Sequence, residues 1–296
     1  MLINIKTVDA LDYDRHPINQ GPAPQRNPIE QESKAMSQSS AVLITGASSG
    51  IGATYAERFA QRGHDLVLVA RDKARLETLA ARLRQAHGVS VDVLQADLTQ
   101  SADLAAVEAR LRDDGRIGVL INNAGANQTG SFLEQTPQSI EQLVALNITS
   151  LTRLARAIAP RLVQAGEGAI VNIGSVVGLS PEIGFTLYGA TKAFVQFLSQ
   201  GLSLELSSKG VYVQAVLPAA TRTEIWERSG IDINVLPEVM EVEELVDAAL
   251  VGFDRRESVT IPPLHDAAHW DTFQAARQGV MGNLRQAQAA ERYRTV

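Results

Sequence analysis

The chain has 296 residues, 45% of them hydrophobic and 20% charged, a globular composition that can bury one large core or two small ones. A formal charge of −6 argues against a nucleic-acid binder, whose affinity would rest on a basic face. With no cysteine there is no disulfide scaffold, thiol catalysis or cysteine-ligated zinc, and no stretch approaches the roughly 18 apolar residues of a membrane-spanning helix.

Residues 1–40 stand apart. Pro17, Pro22, Pro24 and Pro28 interrupt a polar stretch with no sustained period of either kind. Such a segment buries too little apolar surface to offset its ordering entropy, so a disordered leader is expected. Met36, just before the first strand, is a candidate for the true start of translation. Met1–Ile5 is too short for a secretory core, and Asp9, Asp12 and Asp14 are foreign to a transit peptide, so a cytoplasmic location is expected.

From Ala41 the pattern turns regular. Ala41–Thr45 reads as a strand buried on both faces, followed by a Gly-rich turn and a helix over 50–62. Strands are expected at Leu66–Ala70, Val89–Leu94, Ile117–Asn122, Ala169–Ile173, Val211–Leu217 and Val259–Ile261. Helices are expected between them at 72–86, 101–112, 137–165, 187–208 and 242–254. This alternation predicts an α/β domain over 41–262, a doubly wound parallel sheet with helices on both faces, and a helical tail over 263–296.

The first turn, Thr45-Gly46-Ala47-Ser48-Ser49-Gly50-Ile51-Gly52, puts glycines where a backbone must turn tightly and approach a pyrophosphate at a helix N-terminus. It makes Gly46, Ser48, Ser49, Gly50, Ile51 and Gly52 candidate dinucleotide contacts, against an ordinary strand-to-helix turn. The second strand ends Val69-Ala70-Arg71-Asp72, without a carboxylate at the strand end. Arg71 can hold a 2′-phosphate, which favours NADP(H) over NAD(H); Asp72 and the non-basic Ser49 weigh the other way, and a solvated Arg71 is the alternative.

Tyr188 and Lys192 lie one turn apart on a predicted helix. A free tyrosine titrates near 10, too high for acid/base work at neutrality, and a neighbouring ammonium is expected to lower that value. Ser175 follows a strand at its carboxyl end, where ligands bind in open α/β sheets. A lone Y-x-x-x-K is more often a surface pair than a catalytic one.

Taken together, the Gly-rich turn, Asn122-Asn123-Ala124-Gly125, Ser175 and Tyr188-x-x-x-Lys192 resemble, in order and spacing, the short-chain dehydrogenase/reductase family over residues 41 to about 262. The resemblance implies a Rossmann-type sheet of seven strands. It implies Tyr188 as proton donor or acceptor, Ser175 as anchor of the carbonyl or hydroxyl, and Lys192 as tuner of Tyr188 and holder of the nicotinamide ribose. It also implies Asn147 as a fourth member on a water-linked proton path, Asp97 against adenine, and Asn123, Ala124 and Gly125 as cofactor floor. The segment Pro218-Ala219-Ala220-Thr221-Arg222-Thr223 matches the family's stretch beside the nicotinamide amide, with Pro218, Thr221 and Thr223 as contacts and Ala219 departing from the usual glycine. The helices at 137–165 and 187–208 are those with which the family forms homodimers, often doubled to homotetramers.

No metal is expected. His265-Asp266-Ala267-Ala268-His269 echoes a zinc helix, but no third ligand follows and Pro262 and Pro263 lie just upstream. Phe185, Leu187, Ile225, Trp226, Ile231 and Leu236 are expected to border an apolar pocket. Phe273, Ala276, Val280, Leu284 and Ala287 recur at helical spacing in the tail, which either packs on its own domain or caps a partner subunit's site. The reading is thus an NADP(H)-preferring oxidoreductase acting on a small-molecule carbonyl or secondary alcohol. Its rivals are an NAD-dependent alcohol dehydrogenase and a regulator that binds NADPH without turnover.

Overall fold

The computed structural model describes residues 40–294 apart from 129, 229–231 and 285. The leader, the start at Met36 and the pocket assignment of Ile231 lie outside the described residues.

Seven parallel strands form one sheet: β1 (Ala41–Thr45), β2 (Leu66–Ala70), β3 (Val91–Gln95), β4 (Ile117–Asn122), β5 (Gly168–Ile173), β6 (Val211–Val216) and β7 (Val259–Thr260). Their spatial order is β3-β2-β1-β4-β5-β6-β7. All five residues of β1 are buried because helices cover both faces. Val42 and Ile44 enter the core on one face, Ala41 and Leu43 that on the other. The chain reverses direction across the sheet between β1 and β4, and a crevice opens at such a switch point, outside the strands' carboxyl ends.

The crossovers include α1 (Gly50–Gln61), α2 (Lys73–His87) and α3 (Ser101–Asp113). Gly88, in the left-handed conformation at φ 69°, ends α2, and Val89 and Ser90 lead back to the sheet edge, so β3 begins two residues later than the apolar pattern predicts. The helix expected over 137–165 is interrupted. It comprises α4 (Pro137–Val144), a π-helical turn at Ala145–Ser150 and α5 (Leu151–Ala165). The wider turn leaves carbonyls to be met by hydroxyls: Ser150 Oγ donates to Leu146 O at 2.6 Å and Thr152 Oγ1 to Ile148 O at 2.7 Å.

α6 (Thr186–Leu206) crosses from β5 to β6; α7 (Ile225–Arg228), which no periodicity announced, and α8 (Val242–Asp254) precede β7. The tail forms α9 (Ala267–Gly282), none of whose residues is buried; Trp270 and Phe273 stack on each other with ring centroids 5.5 Å apart. Trp270 and Gln274 are half-buried and the other residues of α9 are exposed. Asp266 caps α9 by accepting from Ala268 N at 2.9 Å, which is its role in the His-Asp-x-x-His stretch.

Candidate active site

The turn after β1 is built against the end of β4. Gly46 and Gly50 have φ of 65° and 51°, and a Cβ on Gly46 would lie 2.8 Å from Asn123 Nδ2. On Gly52 it would lie 2.4 Å from Gly46 O, so these glycines make close approach possible. Thr45 Oγ1 accepts from the amides of Asn123 and Ala124, both at 3.0 Å. Asn123 Nδ2 returns a bond to Thr45 O at 2.9 Å. Thr45 carried no role of its own in the sequence reading; the only signal was its place at a strand end in the glycine motif.

Ser48, Ser49, Gly50 and Ile51 line a cleft of about 870 Å³. Ser49 occupies the N-cap position of α1 without a side-chain capping bond. The small residues and the backbone amides of this helix start fit the pyrophosphate of a dinucleotide. Gly52 itself is buried behind the turn.

At one end of the cleft stand Arg71, Asp72, Arg75, Asp97 and Glu224. Arg71 is exposed at the end of β2. Asp72, the residue that argued against a 2′-phosphate, caps α2 by accepting from Arg75 N at 3.0 Å and lies 3.5 Å from Arg75 Nε. Arg75 reaches across to Glu224 at 2.6 Å. Neither Arg75 nor Glu224 was singled out from sequence, since 149 residues separate them. Asp97 Oδ1 accepts from Thr99 N and Oγ1 at 3.0 and 2.7 Å, leaving the rest of its carboxylate toward the cleft.

Ser175, Tyr188 and Lys192 converge where β5 meets α6. Ser175, 7% exposed, begins a short 3₁₀ turn, accepting from Val177 N at 3.2 Å and donating to Pro218 O at 3.3 Å. Tyr188 shares a hydrogen bond with Ser175. Lys192 Nζ donates to Ile173 O at 2.8 Å and lies 5.6 Å from the Tyr188 ring centroid. A Cβ on Gly125 would come within 3.5 Å of Lys192 Nζ, so the loop after β4 passes directly beside it. Gly178 was missed: a Cβ there would lie 2.6 Å from Ala193 N, so only glycine lets the Ser175 turn sit this close to α6.

Asn147, buried in the π-helical turn, does not line the cleft but holds its wall. Its Oδ1 accepts from Ala126 N at 2.9 Å, and its Nδ2 donates to Ala126 O at 3.0 Å and Thr191 Oγ1 at 3.1 Å. Thr191 Oγ1 in turn donates to Tyr188 O at 2.8 Å. The π turn is thereby tied to the first turn of α6.

The electrostatics differ from expectation. Burial pushes the Tyr188 phenol up to about 12, with the Ser175 hydrogen bond pulling the other way, and burial brings Lys192 down to about 8. The polypeptide by itself thus raises Tyr188 where a lysine neighbour was expected to lower it, because loss of solvent disfavours both charged forms and Lys192 is anchored on a carbonyl.

Pro218, Thr221 and Thr223 line the cleft as expected, and Thr223 Cγ2 would be 3.1 Å from a Cβ on Gly50. Ala219 is not among the residues of positive φ, so its loop needs no glycine. Phe185, Ile225, Trp226 and Leu236 also border the cleft; Ile183 joins them and Leu187 does not. Those five side chains are uncharged and give the cleft an apolar wall.

The solved short-chain dehydrogenase from Sphingobium yanoikuyae in complex with NADPH is similar at 74% identity and a TM-score of 0.85, over 86% of this chain and 100% of that one. The bulky-bulky ketone specific alcohol dehydrogenase from Comamonas testosteroni is similar at 65% identity and a TM-score of 0.81, over 86% and 99%. A very-long-chain 3-oxoacyl-CoA reductase from Anas platyrhynchos is 35% identical over 188 residues, 62% of this chain, and this chain spans only 60% of that relative's length. Serine 3-dehydrogenase from Agrobacterium fabrum is 39% identical over 188 residues, 63% of this chain and 74% of its own. A family model described as short chain dehydrogenase matches residues 40–233, well over half of the chain, and the protein accordingly belongs to the short-chain dehydrogenase/reductase family.

Proposed function

We propose that the protein is an NADP(H)-preferring oxidoreductase that interconverts an uncharged, apolar ketone and its secondary alcohol. The observation that carries this reading is the meeting of Ser175, Tyr188 and Lys192 in one cleft with the glycine turn after β1. Gly46, Ser48, Gly50 and Ile51 would hold a nicotinamide dinucleotide, which would supply or accept the hydride. Ser175 orients the substrate oxygen, and Tyr188 passes a proton to it or takes one from it. Lys192, anchored on Ile173 O and 5.6 Å from the Tyr188 ring centroid, is placed to hold the nicotinamide ribose. Asn147 keeps Thr191, and through it the backbone of Tyr188, fixed.

Arg71, exposed at the β2 end, and Asp72, committed to the α2 cap, support a site for the 2′-phosphate. The apolar wall of the cleft and the ketone named for the Comamonas relative support a bulky, uncharged substrate. The exposed Phe197 and Leu204 on α6 support assembly of at least a homodimer through that helix.

Two variants test the reading. Tyr188→Phe lowers kcat for ketone reduction by about 10²–10⁴-fold while NADPH binding, read by fluorescence, is retained. Arg71→Ala raises the KM for NADPH far more than that for NADH. Retained turnover in the first removes Tyr188 from the chemistry, equal effects in the second remove the cofactor preference, and NADPH binding without turnover by the wild type favours a regulator.

A further inference from the structure

The chain enters α6 through Phe185 at φ 55° and ψ 46°, the left-handed region. A bulky side chain is rarely found there, whereas glycine occupies it freely. The preceding Gly184 also has a positive φ, of 87°, so the sequence uses glycine at one such position and keeps an aromatic residue at the next. Three described non-glycine residues have positive φ, namely Phe185, Glu238 and Arg256, and only Phe185 lines the cleft. Glu238 and Arg256 are exposed, whereas Phe185 is half-buried.

The backbone at this point has its own task. Phe185 O accepts from Gly189 N at 2.7 Å, closing the helical turn that contains Tyr188. A glycine would perform that task without strain. What glycine would not supply is the ring, and the strained conformation fixes the direction in which Cβ leaves the chain. Ile183, Trp226 and Leu236 line the same cleft.

We propose that Phe185 is a specificity-determining residue, a rigid wall three residues ahead of Tyr188 that fixes which flank of an unsymmetrical ketone lies along it. The inference rests on the oxidoreductase reading above. A ketone with one aryl and one alkyl flank presents opposite faces of its carbonyl when the flanks exchange places. A wall that accepts the flat aryl group in one place therefore sets the hand of the alcohol formed.

Phe185→Ala removes the ring and keeps a Cβ in the strained conformation; Phe185→Gly removes both. With 1-phenylbutan-1-one and NADPH, both variants are expected to lose about tenfold or more in the enantiomeric ratio of the alcohol. The Tm of Phe185→Gly lies above that of Phe185→Ala, since only the glycine relieves the backbone. An unchanged enantiomeric ratio in Phe185→Ala overturns the specificity role, and a Tm no higher for glycine overturns the strain. Failure of the wild type to reduce any ketone brings down the oxidoreductase reading instead, and this role with it.

Discussion

At the carboxyl end of β1 one hydroxyl, Thr45 Oγ1, joins the glycine turn to the loop after β4. Among the described residues Ala124 N donates to this hydroxyl alone, whereas Asn123 N also reaches Ile121 O at 3.1 Å. Thr45→Val should therefore cost about 1 kcal/mol by leaving a half-buried amide unmet, and Thr45→Ser should recover most of it in urea denaturation. Lys192 shows the same dependence on surroundings in its titration. Below pH 8 both native and unfolded chains carry its proton. Between about 8 and its ordinary 10.5 only the unfolded chain does, so stability rises with pH across that window. Tyr188, pushed up to about 12, acts in the opposite sense only above its ordinary value near 10. Lys192→Met should flatten the rise in urea midpoint between pH 8 and 10.

Among the elements, the π-helical turn has the largest consequence for the site. Its buried Asn147 both donates and accepts, binding the backbone of Ala126 on one side and Thr191 on the other. Asn147→Asp removes the two donated bonds and sets a carboxylate oxygen against Ala126 O, so a destabilisation of about 1–3 kcal/mol is expected, with kcat reduced more than cofactor affinity. The Arg75–Glu224 pair, which joins α2 to the segment before α7, stands in contrast. Its side chains are 49% and 40% exposed, so Glu224→Gln should change stability by less than about 1 kcal/mol, and less still at high salt. The π turn was invisible in the sequence because an extra residue per turn leaves no break in an apolar run. Gly178 was invisible because its neighbour, Ala193 N, is distant in the chain.

At the scale of the molecule, α9 is a helix without a buried side chain, and an isolated helix of its length is marginal in water. Removing residues 266–296 should leave the Tm of the sheet domain within a few degrees of wild type. A large fall would mean that the tail packs on its own domain or is covered by a second copy, and light scattering would separate the two. The order of strands and helices, the glycine turn, and the placing of Ser175 and Tyr188 at strand and helix ends were legible in the sequence. Each rests on local rules: buried runs between turns, glycine where the backbone turns, and side chains four residues apart on a helix. Tertiary structure alone decided the rest. Burial set the titration of Tyr188 and Lys192, Asp72 became a helix cap, Asn147 acquired partners in two other elements, and Phe185 took a strained conformation. Each depends on which distant groups the fold brings within a few ångströms, and neither composition nor periodicity encodes that proximity.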